Sequence, residues 1–226
     1  GEADAIVCAV ENTIYGSINE VYQLIEDCSA PLVGEVKLQI NQQLIARSDA
    51  TPKTITEIYS HPVALAQCRK FLSAQYPNAE LIEYFDTAGA VEFVKSLNAN
   101  TAAAVAGEQA ARLYGLPIIA KNIQDNMHNH TRFLVLQDND TSPQANRAAL
   151  VITTADKPGA LAEVLNIFAT NSVNLEKLQS QPIIGQPWEY KFYLVVDTTG
   201  SKLRKIVSQI EKSDHAVTLL GEYVGA

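Results

Sequence analysis

The chain has 226 residues, 47% hydrophobic and 19% charged, and its 17 Lys and Arg against 25 Asp and Glu give a formal charge of −8. That is a globular composition with room for one large domain or two smaller ones, and its acidity argues against a nucleic-acid partner, which needs a basic face. No apolar run approaches the ~20 residues that cross a bilayer, so no membrane association is expected, and any anion site must be built from local donors.

The opening "GEADAIVCAVEN" carries acids rather than a basic leader, so no secretory signal is expected. Within it "AIVCAV" (5–10) reads as a buried strand, followed by a helix with Ile18, Val21, Tyr22 and Ile25 at i, i+3, i+4, i+7. "GEVKLQI" alternates Val36, Leu38 and Ile40 on one face, which predicts a half-buried strand. A helix after "YSHP" aligns Leu65, Cys68 and Leu72. "LIEYF" (81–85) is strand-like, and a helix with Val91, Val94 and Leu97 follows. "AAAVA" (102–106), a helix from Gly107 to Tyr114 and "LPIIA" complete an alternation that predicts an α/β fold with a mainly parallel sheet.

The polar stretch "QDNDTSPQANR" is the best linker. We place a first domain at 1–138, the linker at 139–146 and a tail domain at 147–226. In the tail the strands "AALVITT", "VNLEKLQSQP", "YKFYLVVDT" and "AVTLLGEYV" alternate with two amphipathic helices in the order β-α-β-β-α-β, the ferredoxin-like arrangement. The faces of "AALVITT" and "YKFYLVV" look too apolar for two short helices to cover, so pairing with another copy is expected.

Four polar constellations lie where strands end and helices begin: Glu11-Asn12-Thr13 with Gly16-Ser17; Ser60 to Gln67; Asp86-Thr87; and Asn129 to Arg132. Open α/β sheets bind ligands at such edges, where helix N-termini attract carboxylates. Each constellation also has a plainer reading, since Ser60, Asp86 and Thr87 are ordinary helix-cap residues. Placed at corresponding edges of one sheet, the four suggest a shared ligand site. His128 and His130 form H-x-H without a further ligand at metal spacing and read as a solvated loop pair. Cys8, Cys28 and Cys68 are odd in number with no C-x-x-C, so free thiols in a reducing cytoplasm are expected rather than disulfides or zinc. There is no G-x-G-x-x-G, Walker loop or G-x-S-x-G.

"ENTIYGS", "SHPVALAQC", "DTAGA" and "NHTRFLVL", in this order, resemble the prephenate dehydratase family, and the tail's "DKPGAL" and "WEYKFYLVVD" resemble the regulatory ACT domain fused behind it. The resemblance implies a two-lobed, periplasmic-binding-protein-like catalytic domain followed by a βαββαβ ACT domain. It implies conversion of prephenate to phenylpyruvate with loss of carbon dioxide and water, on the route to phenylalanine, with neither metal nor cofactor. Thr131, Glu11 and Asn12 are then the catalytic residues. Thr13, Ser17, Ser60, Gln67, Thr87, Asn129, Arg132 and Phe133 are the substrate-binding set, Arg132 either gripping a carboxylate or bracing its loop. In the family a substantial opening segment precedes the "EN" stretch; only ten residues do so here, so a partial first lobe is expected. Phenylalanine as effector is implied between paired ACT domains at Gly159, Ala160 and Leu161 and at Gln179, Ser180, Gln181 and Pro182. The last four stand where the family has "ESRP", so the charge pair is gone. The ACT resemblance implies a homodimer or tetramer. Two alternatives stand beside the dehydratase: a non-catalytic amino-acid sensor, and a hydrolase of a small ester, lactone or amide.

Overall fold

The structure, a computed structural model, describes residues 3–138 and 144–225. Residues 139–143 of the expected linker lie outside the described residues. The first part contains β1 (Ile6–Asn12), β2 (Gly16–Ser17), α1 (Asn19–Asp27), β3 (Leu32–Gln39), β4 (Gln43–Ala46), β5 (Glu57–Ser60), α2 (Pro62–Gln67) and α3 (Arg69–Gln75). It continues through β6 (Glu80–Glu83), α4 (Thr87–Leu97), β7 (Ala102–Ala106), α5 (Glu108–Tyr114), β8 (Ile118–Ala120) and β9 (His130–Leu136). The tail follows as β10 (Arg147–Thr153), α6 (Ala160–Thr170), β11 (Leu175–Pro182), β12 (Tyr190–Val196), α7 (Gly200–Glu211) and β13 (Ala216–Tyr223), the expected βαββαβ order. Two compact units result: Gln39–Asn129 form one, and the residues up to Leu38 join those from His130 onward in the other.

In the unit Gln39–Asn129 the strand order is β6-β5-β7-β4-β8. β5 runs parallel to β6 and β7, whereas β4 is antiparallel to β7 and β8, so the sheet is mixed rather than mainly parallel. The difference arises because β4 and β5 are only four residues long, too short to display a period. Alternate residues of β7 feed two cores: Ala103 and Val105 pack with Leu44, Ile58, Leu65 and Leu72, while Ala102, Ala104 and Ala106 pack with Ala90, Val91 and Val94 of α4. The single helix expected over Leu65, Cys68 and Leu72 is two, broken at Cys68 (φ −112°, ψ 10°). α3 starts afresh because the Asp125 carboxylate accepts from Lys70 N at 3.1 Å, satisfying an N–H that a continuous helix would have used.

The other unit holds the sheets β2-β1-β9-β3 and β11-β12-β10-β13. The tail sheet is apolar on both faces, as its sequence suggests. Ala148, Leu150, Ile152, Leu194 and Val196 pack under α6 and α7. Ala149, Val151, Tyr193 and Val195 pack instead against Tyr22 and Ile25 of α1 and Leu134 and Leu136 of β9. The second face of the tail sheet is therefore covered by residues of this same chain. Each aromatic or aliphatic side chain so buried contributes roughly 1.5–3 kcal/mol.

Two strand readings change here. Ile6 and Val7 of β1 are exposed, and burial begins only at Val10. In β3 Val36 and Leu38 are exposed, together with Lys37 and Gln39, while Glu35 is buried. A carboxylate can occupy the inner face because Arg132 and Arg147 neutralise it there.

Candidate functional site

The four constellations do not share one sheet. Glu11 to Ser17 with Thr131 and Arg132 lie on β1, β2 and β9, whereas Ser60, Gln67 and Thr87 belong to the unit Gln39–Asn129, which Asn129 ends.

At the end of the β1–β9 ladder Asn12 stands opposite Thr131 and Glu11 opposite Arg132. The chain turns sharply after Asn12, and this turn fixes the side chain: Oδ1 accepts from Ile14 N at 3.0 Å and Tyr15 N at 3.2 Å, an Asx turn. The amide nitrogen is thereby aimed at Thr131, donating to Oγ1 at 3.0 Å and to His130 O at 3.3 Å. A hydroxyl that accepts from an amide turns its own proton elsewhere, so Thr131 is held as a donor. Thr13 closes the turn, its N–H donating to His130 O at 2.9 Å and its Oγ1 accepting from His130 N at 3.0 Å. Phe133 lies further along β9, opposite Ala9 and half-buried.

Arg132 turns inward. Its Nη2 donates to Glu35 Oε2 at 2.7 Å and to Tyr223 Oη at 3.4 Å, and its Nη1 lies 3.8 Å from Glu11. Burial pushes the Glu35 carboxyl up, but Arg132 and Lys37 together outweigh it and hold the group below its ordinary value of 4.5. The guanidinium is thus engaged in bracing β9 against β3 and β13. Ser17 likewise meets the tail, accepting from Lys177 Nζ at 2.8 Å and donating to Gln179 Oε1 at 2.9 Å.

In the other unit Ser60 ends β5 fully buried, and its Oγ donates to Val105 O at 2.6 Å. It does not cap α2; His61 does, its Nδ1 accepting from Val63 N at 3.3 Å. Gln67, at the end of α2, is buried beside Gln42, whose Nε2 donates to its Oε1 at 3.5 Å. Gln124 Oε1 accepts from Gln42 N at 2.9 Å, so Gln42, Gln67 and Gln124 form a chain of buried amides. Asp86 caps α4 by accepting from Gly89 N at 2.6 Å, and Thr87 is the first helical residue. Asn129 is fully buried, and its carbonyl accepts from Ile40 N at 2.8 Å.

On the tail, Gly159 adopts φ +84°, the left-handed conformation that glycine tolerates, and opens α6. Gly159, Ala160 and Leu161 line an open pocket with Asp156, Trp188 and Tyr190. Gln179 and Gln181 do not line it in this chain: they face Ser17 and Asn19, while Ser180 and Pro182 are exposed.

Sequence reasoning missed Gln42, Gln124, Glu35, Lys177 and Trp188. The polar run "QINQQ" between two strands could have pointed to Gln42, and an acid inside the strand "GEVKL" to Glu35. Among the described residues no group of three or more His, Cys, Asp or Glu could hold a metal ion, and no helix is long and apolar enough to cross a membrane.

Residues 1–141 match the family model described as prephenate dehydratase, and residues 148–215 match the ACT domain. The chain belongs to the prephenate dehydratase family. It is 35% identical over 226 residues to the bifunctional chorismate mutase/prephenate dehydratase of Aquifex aeolicus, covering 98% of this chain and 61% of that protein. The chain thus spans 61% and 60% of the first two curated relatives it matches. Among solved structures, the prephenate dehydratase of Arthrobacter aurescens in complex with L-Phe superposes with TM-score 0.87 at 28% identity, covering 99% of this chain and 76% of that one. GqqA, described as a novel type of quorum quenching acylase, superposes with TM-score 0.87 at 27% identity, covering 100% of this chain and 84% of that one.

Proposed function

We propose that the chain is a prephenate dehydratase with residues 1–138 as its catalytic segment and residues 147–226 as its regulatory domain. The observation that carries the reading is the Asn12–Thr131 pair, 3.0 Å apart, in which a turn-locked amide presents the threonine hydroxyl as a donor. Prephenate is a dianion that takes up one proton and leaves as the phenylpyruvate anion, carbon dioxide and water. The carbon–carbon bond to the ring carboxylate breaks, its electron pair enters the ring, and the ring hydroxyl departs on the opposite carbon. Aromatisation drives the step, so the protein has to orient the dianion and polarise the leaving hydroxyl. Thr131 is too weak an acid to release its proton outright; it donates a hydrogen bond to the departing oxygen, and the proton comes from solvent. Asn12 orients Thr131, and Glu11 acts one residue away through the same strand end. Ser60, Gln67, Thr87 and Asn129, all of the unit Gln39–Asn129, stand as candidate substrate-binding residues on the family resemblance alone. Arg132 and Ser17 act by bracing rather than by touching it.

L-Phe is proposed as effector at the pocket of Gly159, Ala160, Leu161, Trp188 and Tyr190, a reading supported by the L-Phe complex of the Arthrobacter aurescens relative. A cytoplasmic homo-oligomer is the proposed form. A second reading, hydrolysis of a small ester, lactone or amide, is favoured by the likeness to GqqA.

One experiment tests these readings. The purified chain is incubated with prephenate, phenylpyruvate absorbance is followed, and Thr131→Ala serves as control. Turnover that falls at least about a hundredfold in the variant, with circular dichroism unchanged, supports the dehydratase. Inertness toward prephenate with release of acid from an activated ester or acyl amide supports the hydrolase. Binding of prephenate without turnover points to a sensor.

A further inference from the structure

The strand end that presents Asn12 and Thr131 is weakly fixed by its own sheet. The β1–β9 ladder is irregular between Ala9 and Glu11, immediately before the residues that matter. Beyond that irregularity β1 pairs with β2 at two positions, Glu11 with Ser17 and Asn12 with Gly16. Bulges of this kind re-aim side chains next to active sites, and they loosen the ladder where they occur.

A side chain from the ACT domain closes this gap. β11 alternates in burial: Lys177, Gln179 and Gln181 face inward, while Glu176, Leu178, Ser180 and Pro182 are exposed. The three inward residues lie along the segment 11–19. Gln181 Nε2 donates to Asn19 O, Gln179 Oε1 accepts from Ser17 Oγ at 2.9 Å, and Lys177 Nζ donates to Ser17 Oγ and Glu11 Oε1, both at 2.8 Å. Lys177 therefore grips both members of one cross-strand pair, Glu11 and Ser17, and its Nζ sits 5.5 Å from the Tyr22 ring centroid. Its side chain is 7% exposed. Burying an ammonium costs several kcal/mol unless it is fully partnered, so packing alone would favour an aliphatic residue at this inward position.

We infer that Lys177 is a positioning residue: a cation supplied by the ACT domain that clamps Glu11 to Ser17 and so holds Asn12, the next residue, in line with Thr131. The inference rests on the dehydratase reading for its kinetic consequence only. It also makes β11 the element through which a change in the ACT domain reaches the donor pair, because Lys177 and Gln179 sit on the strand that carries the expected effector segment.

The test compares wild type, Lys177→Met, which keeps length and apolar stem, and Lys177→Arg, which keeps the charge. Two readouts are taken. In steady-state turnover of prephenate, Lys177→Met should lower kcat about tenfold with KM changed less than about twofold, and Lys177→Arg should recover to within about threefold of wild type. In NMR spectra taken without substrate, the Asn12 side-chain NH2 resonances should move in Lys177→Met and return in Lys177→Arg. Unmoved resonances, or an unchanged kcat per folded molecule, would overturn the inference and leave Lys177 a stability residue. A wild type inert toward prephenate would overturn the dehydratase reading instead, and the NMR comparison then decides on Lys177 alone. Should Lys177→Met not fold, Ser17→Ala removes one arm of the clamp; it should shift the same Asn12 resonances, and no shift overturns the inference.

Discussion

Asn12 and Thr131 meet directly across the β1–β9 ladder, the amide nitrogen of the first 3.0 Å from the hydroxyl oxygen of the second. The direction of that hydrogen bond is set by the turn after Asn12, which occupies Oδ1 with two backbone N–H groups. Asn12→Asp is therefore the informative variant. An aspartate keeps both turn contacts but offers Thr131 an acceptor, which captures the hydroxyl proton and withdraws it from the substrate. We expect prephenate turnover to fall on the order of 10²- to 10³-fold with circular dichroism unchanged, the loss usual for one preorganised donor. Thr131→Ser, which retains the hydroxyl, should stay within about tenfold of wild type. Near-normal turnover in Asn12→Asp would show that the amide does not orient the hydroxyl.

Glu35 should govern the acid limb of stability. It is buried among Arg132, Arg147 and Tyr223; burial pushes its carboxyl up, but Arg132 and Lys37 outweigh that and hold its folded-state value below the ordinary 4.5. A depressed carboxylate contributes stability that is fully present above its unfolded value and is lost as pH falls toward the folded one. Wild type should hold its urea midpoint from neutral pH down to about 4.5, then lose it. Glu35→Gln, which leaves two guanidinium groups facing a neutral amide, should be less stable at pH 7 by ~3 kcal/mol. The gap between the two proteins should narrow below pH ~4.5, and parallel profiles through that range would refute the assignment.

Much of this arrangement was legible in the residues. The βαββαβ tail could be read because its strands and helices carry long, distinct periods, and the resemblance rested on stretches that now lie at strand ends and helix starts. What escaped were features whose signal is not periodic. β4 and β5 are four residues each, and Glu35 reverses the expected facing of β3 only because Arg132 and Arg147, about a hundred residues away in sequence, neutralise it. The same long-range chemistry explains Arg132, which reads from sequence equally as a carboxylate clamp or a brace, and Lys177, which looks like an ordinary strand lysine until Glu11 and Ser17 are seen beside it.

Gly221 is a point where the tail sheet and β3 approach too closely for a side chain. A Cβ there would lie 2.3 Å from Leu32 O and 2.9 Å from Leu32 N, both backbone atoms that cannot swing aside. Gly221→Ala should therefore cost ~2–3 kcal/mol, read as a lowered urea midpoint. Gly16→Ala is the contrast: nothing lies within 4 Å of its Cβ, but φ +82° leaves an alanine strained by about 1 kcal/mol. Equal effects from the two would mean that backbone conformation, not the Leu32 contact, sets the cost at Gly221.

Cys68 provides a check on the core of the other unit. It lies at the break between α2 and α3, fully buried, and burial, aided by the Asp125 carboxylate, pushes its thiol from 9.0 up to about 12. Because the thiolate is the attacking species, a rise of this size lowers the reactive fraction at pH 8 about a thousandfold, before any loss of access is counted. Native protein treated with a thiol-specific disulfide reagent should thus leave Cys68 unmodified, as read by peptide mass mapping, until urea passes the unfolding midpoint. Cys8, half-buried and raised mainly by burial with Cys28 adding to it, should react before Cys68 does. Rapid labelling of Cys68 with the fold intact would mean that the α2–α3 break opens locally. That would contradict a core in which Cys68 packs with Leu65, Leu72 and Ile123.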